Sequence, residues 1–249
     1  LPERATPVKG FDAPWGAFET FFYIQRRPLS NPVMAPGAFV IAVDGPAASG
    51  KGTLAKAISR HFGYPYLDTG ALYRGTGIAV LRQGGDPANR QMALEAARSL
   101  DARLLDDPAL RTAQAGSAAS IVAAIPEVRA ALLQFQRDFA AQWPGSVLDG
   151  RDIGTVICPD APAKLFVTAS LAERARRRHL ELSKGPGGAD LAAVVADLAE
   201  RDLRDSTRSD APLAQAHDAD LLDTTELSIE AAIAAAIDLI SRKHRQGAG

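Results

Sequence analysis

The chain has 249 residues, 47% of them hydrophobic, enough for one α/β core with small attached lobes. Lys and Arg number 28 against 29 Asp and Glu, a net charge of −1, so no global field draws nucleic acid or a membrane surface. The single cysteine, Cys158, excludes a disulfide within the chain and argues for a reducing, cytoplasmic setting, and no apolar stretch is long enough to cross a bilayer.

Residues 1–37 hold six prolines and no clear periodicity. Glu3, Asp12 and Glu19 argue against an organelle transit peptide, and no signal-peptide arrangement is present. The expectation is a poorly ordered extension, upstream of a start at Met34; a partner-docking arm is the functional alternative. A single domain is expected over residues 38–246.

Phe39 to Val43 is rich in β-branched residues and ends at a turn, as a buried strand does. The turn that comes next is Gly45-Pro46-Ala47-Ala48-Ser49-Gly50-Lys51-Gly52-Thr53. Gly45 and Gly50 permit backbone angles other residues resist, so the loop can wrap its N–H groups around a phosphate. Lys51 adds a full charge, and Leu54, Ile58 and Phe62 mark one face of a helix whose positive end meets the same anion. Six-residue spacing between strand and lysine makes this a nucleoside-polyphosphate loop rather than a chance Gly/Ser turn. Gly52 departs from the usual pattern, which puts Ser or Thr directly after the lysine; here the hydroxyl is Thr53.

Gly63 stops that helix, and Tyr64 to Leu67 reads as a second strand. Thr69 is placed to cap a helix to about Arg82, stopped by Gly84-Gly85; Pro87 to Leu100 reads as a helix opened by its proline. Pro126 opens another, with Val128, Leu132, Phe135 and Phe139 on one face. Ser146 to Asp149 and Lys164 to Val167 read as strands, Leu171 to Ser183 and Asp190 to Asp205 as helices, and Ala219 to Asp223 as a last strand; Ser228 caps a final helix to about Lys243. Strands alternating with helices imply a parallel sheet with right-handed crossovers. Nothing self-complementary stands out, so a monomer is the expectation.

Three clusters carry chemistry. Asp149 ends an apolar strand before Gly150, where a carboxylate can face the phosphate loop and hold Mg²⁺ or its waters; the plain alternative is a turn aspartate. Arg174, Arg176, Arg177 and Arg178 share one predicted helix, and Arg201, Arg204 and Arg208 stand at i, i+3, i+7 on the next. Lys184-Gly-Pro-Gly-Gly188 joins the two, which looks like a mobile arginine-rich lid over about 174–208; the alternative is a solvated face paired with Glu173, Glu181, Asp202 and Asp205. Asp68-Thr-Gly-Ala-Leu-Tyr-Arg74 places a helix N-terminus and an arginine at the sheet edge, a second phosphate site or simply a capped helix.

The chain from Phe39 to about Lys243 resembles the bacterial cytidylate kinase family, a branch of the P-loop nucleoside monophosphate kinases. The stretches that carry the resemblance are Asp44 to Thr53, Leu67-Asp-Thr-Gly-Ala-Leu-Tyr-Arg74, Ala118 to Arg129, Asp149-Gly-Arg-Asp-Ile-Gly-Thr155 and Glu200 to Arg208. The resemblance implies transfer of the γ-phosphoryl of ATP to CMP and dCMP, with Mg²⁺ held by Asp149 through water. It implies that Arg74, Arg151 and Arg208 grip the acceptor phosphate, that Arg201 and Asp205 reach the sugar, and that Ser120, Arg129 and Asp152 read the base. Thr69 stands where the family often has serine. Lys51, Arg151, Arg178 and Arg208 are the expected catalytic groups. It further implies a helical acceptor-binding lobe over about 69–145; long members insert a small antiparallel sheet there, where this chain has only Leu100 to Thr112. The chemistry agrees: Asp152 can accept from the cytosine amino group, whereas uracil would set a carbonyl against it. The alternatives are a kinase directed to UMP or AMP, and a nucleotide-binding adaptor without catalysis.

Overall fold

A computed structural model describes residues 38–101, 104–105, 107–183 and 190–247. The expectations for residues 1–37 and for the 184–188 linker lie outside the described residues. Five strands, β1 (Phe39–Asp44), β2 (Tyr66–Asp68), β3 (Gly145–Gly150), β4 (Ala163–Thr168) and β5 (Asp220–Asp223), form one sheet in the order β2-β3-β1-β4-β5, and every pairing is parallel. The helices are α1 (Lys51–Phe62), α2 (Thr69–Arg82), α3 (Arg90–Arg98), α4 (Ala113–Val122), α5 (Pro126–Ala140), α6 (Leu171–Leu182), α7 (Leu191–Thr207) and α8 (Ile229–Gly247). A 3₁₀ turn covers Pro108–Arg111 and a π turn covers Ile153–Ile157.

β1 is central, so both its faces are covered and its residues read as a continuous apolar run. Ile41 and Val43 pack with Leu54 and Ile58 of α1 and with Ala236 and Ile240 of α8. Val40 and Ala42 face the other way, onto Phe139 of α5 and Ile153 and Ile157 of the π turn. Each fully buried Val or Ile here contributes about 1.5–3 kcal/mol. Helices α2 to α5 build a core of their own from Leu72, Val80, Val122, Val128 and Leu132. Ala47 of the phosphate loop packs with Ala175, Val194 and Leu198 of α6 and α7, so that helix pair rests on the loop.

Several boundaries differ from the sequence-based expectation. β2 begins at Tyr66 rather than Tyr64. The cap of α2 is Asp68, whose carboxylate accepts from Ala71 N at 3.1 Å; Thr69 Oγ1 instead donates to Asp149 O at 2.7 Å, a tertiary partner that periodicity does not reveal. α3 starts at Arg90 because the Asn89 side chain, not Pro87, satisfies the first turn through Met92 N at 3.1 Å. α4 is an element that periodicity does not signal. Its sequence is mostly small residues with Gln and Ser scattered among them, so it has no amphipathic stripe, and Thr112 caps it through Ala115 N at 3.1 Å. Among the described residues of 100–112 there is no strand.

In this register Asp68 pairs with Asp149, and Asp44 with Gly150, so the ends of β2, β3 and β1 lie side by side at the C-terminal edge of the sheet. That edge is where open α/β sheets bind ligands.

Candidate active site

At the sheet edge lies one cleft of about 420 Å³, within the range of small-ligand pockets. Its floor is the phosphate loop. Gly45 has φ 149°, and a Cβ there would come within 2.0 Å of Val167 O, so the loop leaves β1 by a path open only to glycine. Gly50, at φ 88°, turns the chain into α1 and offers no side-chain cap, which leaves the first N–H groups of α1 for an anion. Ala48 also has a left-handed φ of 60°, which costs a non-glycine residue about 1–2 kcal/mol. Backbone strain of that kind collects at functional sites.

Ala47, Ala48, Gly50, Lys51, Gly52 and Thr53 line the cleft. Gly45, Pro46 and Ser49 do not; they support the loop from behind. Pro46 O accepts from Lys51 Nζ at 3.2 Å, and Ser49 O accepts from Thr224 Oγ1 at 3.1 Å. Lys51 Nζ is 4.0 Å from Asp149 Oδ1. Burial, with the Arg151 charge adding to it, lowers the Lys51 pKa to about 8. Burial raises the Asp149 carboxyl against the pull of Lys51. Tyr66 donates to Asp149 Oδ2 at 3.1 Å. The departure at Gly52 has a physical reason: a Cβ there would stand 3.1 Å from Asp149 Oδ2. The glycine lets the carboxylate approach the loop.

The basic cluster divides. Arg176 is exposed and paired with Glu173, as a solvated face would be. Arg174 is buried and structural: it donates to Ala169 O and Ala47 O at 2.9 and 3.2 Å and forms a two-pronged pair with Asp202 at 3.1 and 2.7 Å. It thereby ties α6, α7 and the phosphate loop together. Arg177 is held by Thr224 behind the loop, and Arg204 by Glu200 at 2.5 Å. Of α6 and α7, Arg178, Glu181, Leu198, Arg201 and Asp205 line the cleft, together with the capping residue Arg208. Arg178 reaches the carbonyls of Arg111 and Thr112, both at 3.3 Å, so α6 touches the α2–α5 side of the cleft. Gly116 of α4 is a further close approach, since a Cβ there would meet Arg201 Nη1 at 2.9 Å.

Opposite the loop, Thr69, Arg74, Ser120, Arg129, Arg151 and Asp152 all line the same cleft. Arg74 donates to Asp68 at 2.7 Å, and Arg151 Nε donates to Asp205 Oδ2 at 2.9 Å. Burial alone would lower Arg151, but the Asp205 carboxylate beside it reverses the balance and raises it. Arg201 is lowered by burial and by Arg151, and Arg208 by burial and by Arg129. Arg201 Nε, Arg208 Nη2 and Ser120 Oγ are buried without a hydrogen-bond partner among the described residues. Crowded, under-satisfied cations in a buried cleft favour an anionic ligand. The arrangement can therefore neutralise two anions, one on the loop and one among the arginines.

At the far end, Arg129 Nη2 donates to Asp152 Oδ2, and Arg208 Nη2 stands 3.7 Å from Asp152 Oδ1. The turn that presents Arg151 and Asp152 is fixed by Asp44, which accepts from Ile153 N at 2.8 Å and Gly154 N at 2.7 Å. Sequence reasoning passes over Asp44, Arg174 as a brace, and Asp210. Asp44 ends the apolar strand within a matching stretch, which is an available signal; the other two have none. Cys158 is buried and its thiol is pushed up to about 12 by burial, in keeping with a small apolar core residue. Among the described residues no single helix is long and apolar enough to cross a membrane.

The model of the cytidylate kinase family matches residues 41–242. The chain is 56% identical over 205 residues to a cytidylate kinase of Methylocella silvestris, covering 82% of this chain and 95% of that one. It is 55% identical over 201 residues to one of Rhodopseudomonas palustris, covering 81% and 95%. It is 56% identical over 209 residues to one of Cereibacter sphaeroides, covering 84% and 98%. On both grounds, a family match across most of its length and relatives at this identity over nearly their whole length, the chain belongs to the cytidylate kinase family.

Proposed function

We propose that the chain transfers the γ-phosphoryl group of ATP to CMP, and also to dCMP, giving the diphosphate and ADP. The observation that carries this is one cleft in which an anion-binding loop faces a half-buried arginine group, with Asp152, Arg129 and Ser120 at its far end. Lys51 and the loop amides hold the donor phosphates. Arg74, Arg151 and Arg208 hold the acceptor phosphate, and Arg201 with Asp205 reaches the sugar. Arg178 adds charge from the lid, taken as about residues 174–208, where negative charge grows between donor and acceptor. The α2–α5 side, about residues 69–145, serves as the acceptor lobe. No covalent intermediate is required, because positioning and charge neutralisation supply the catalysis.

The residues present suit Mg²⁺. Asp149 is a buried carboxylate beside the loop lysine, with Asp68 and the Thr53 hydroxyl on the same cleft, an all-oxygen set. No group of three or more His, Cys, Asp or Glu forms a cage among the described residues, which suits an ion held by one or two carboxylates, water and phosphate. Bound there, Mg²⁺ supplies charge neutralisation at the donor phosphates. The protein acts on free nucleotides as a cytoplasmic monomer, with neither nucleic acid nor membrane as a partner.

The test is ADP release with CMP, dCMP, UMP and AMP as acceptors. Preference for CMP supports this reading. Preference for UMP or AMP would make the chain a kinase of another acceptor, and binding without ADP release would make it an adaptor.

A further inference from the structure

Arg129 is 7% exposed and is held from three sides. Nη2 meets Asp152 Oδ2, Nη1 stands 3.4 Å from the Tyr73 hydroxyl, and Nε donates to Asp210 Oδ2 at 3.0 Å. Asp210 belongs to no stretch that the family resemblance assigns a role, and its own side chain is 49% exposed. It sits on the turn that leaves α7, between Arg208 and Ala211. Ala211 has a left-handed φ of 49°, costly for a residue with a Cβ, and is nonetheless buried. That conformation has two consequences. The Ala211 carbonyl accepts from Arg208 Nε at 2.6 Å, and Asp210 is carried over to Arg129. One strained turn thus steadies both arginines that face Asp152, which is where strain is expected to serve a site.

We infer that Asp210 is a positioning residue that holds Arg129 on one oxygen of Asp152 and keeps the other oxygen for the acceptor base. The inference rests on Asp152 being the reader of that base. A guanidinium prefers to engage a carboxylate with two parallel N–H bonds. Arg129 is restrained from doing so because Asp210 holds its Nε at 3.0 Å and the Tyr73 hydroxyl faces its Nη1 at 3.4 Å, which leaves Nη2 alone for Asp152. Asp152 Oδ1 stands 3.7 Å from Arg208 Nη2, beyond hydrogen-bond distance. An exocyclic amino group requires an acceptor of that kind. Without Asp210, Arg129 is free to rotate into the two-pronged pair and compete with the base.

Steady-state kinetics and melting temperature of Asp210→Ala, Asp210→Asn and Asp210→Glu test this. In Asp210→Ala, KM for CMP should rise about fivefold, the upper worth of a partly exposed ion pair, and proportionally more than kcat falls. KM for ATP should hold, the CMP-to-UMP efficiency ratio should narrow, and Asp210→Glu should recover most of the loss. An unchanged KM for CMP in Asp210→Ala overturns the inference while leaving the proposed activity intact. Equal rises in both Michaelis constants with a lower melting temperature also overturn it, by making Asp210 a support of the fold. A wild-type chain that releases no ADP with CMP overturns both readings together.

Discussion

Asp44 accepts the backbone N–H of Gly154 at 2.7 Å, joining the last residue before the phosphate loop to the turn that carries Arg151 and Asp152. The second carboxylate oxygen takes Ile153 N at 2.8 Å, so one buried side chain ties the phosphate-loop side of the cleft to the side that carries Arg151 and Asp152. An amide in its place can accept through one atom only and sets an N–H₂ against the other donor. Asp44→Asn should therefore destabilise the protein by about 1–3 kcal/mol, the usual cost of an unsatisfied buried donor. Denaturant titration checks this, and an unaltered midpoint would contradict it.

The same carboxyl carries a pH signature. Burial raises its pKa from 3.8 to about 7, against the two N–H donors that pull it down. The folded chain then binds the proton more tightly than the unfolded chain does. The stabilising contribution is full below about pH 4 and is lost as pH rises through about 7. Wild type should show this decline relative to Asp44→Asn when both are melted across that window; parallel curves would contradict the assignment.

Lys51→Ala should lower turnover by about 3 kcal/mol or more, roughly a hundredfold, with the fold intact, because in the proposed reading the ammonium acts on charge that develops during transfer. With its pKa lowered to about 8, Lys51 loses its proton above that pH in the free protein. The value of kcat/KM for ATP should accordingly fall as pH rises past 8. Wild-type turnover in the alanine variant would remove the loop from the donor site.

Arg174 and Arg176 make a paired test of the basic helix. Arg174→Ala breaks a buried fork to Asp202 and two carbonyl contacts, and should cost about 1–3 kcal/mol. Arg176→Ala removes an exposed pair with Glu173 and should stay within about 0.5 kcal/mol. Equal melting temperatures for the two variants would contradict the division.

Local signals in the sequence are enough for the sheet, the phosphate loop and most helices. β1 is an unbroken apolar run because both its faces are buried, and Gly63 ends α1 in a left-handed cap. Such signals fail where a distant partner decides. Thr69 looks like a cap, yet its hydroxyl goes to Asp149, eighty positions away. The arginines of α6 form one charged run in sequence, and only packing sends Arg174 inward, Arg176 outward and Arg178 across to Thr112. No local signal marks Asp210, whose partner Arg129 and left-handed neighbour Ala211 emerge only in the fold.

Asp152 as reader of the base is the central claim, and its most direct measurement is competition between CMP and UMP in wild type and Asp152→Asn. In the proposed reading the carboxylate accepts from the cytosine amino group, whereas an asparagine can turn its amide N–H₂ toward the uracil carbonyl. Loss of the charge also weakens the pair with Arg129, so both efficiencies should fall. CMP should fall further, narrowing the CMP-to-UMP ratio by about 1–3 kcal/mol, the worth of one base-edge contact. A ratio unchanged from wild type would contradict the account, because the carboxylate would then play no part in choosing cytosine.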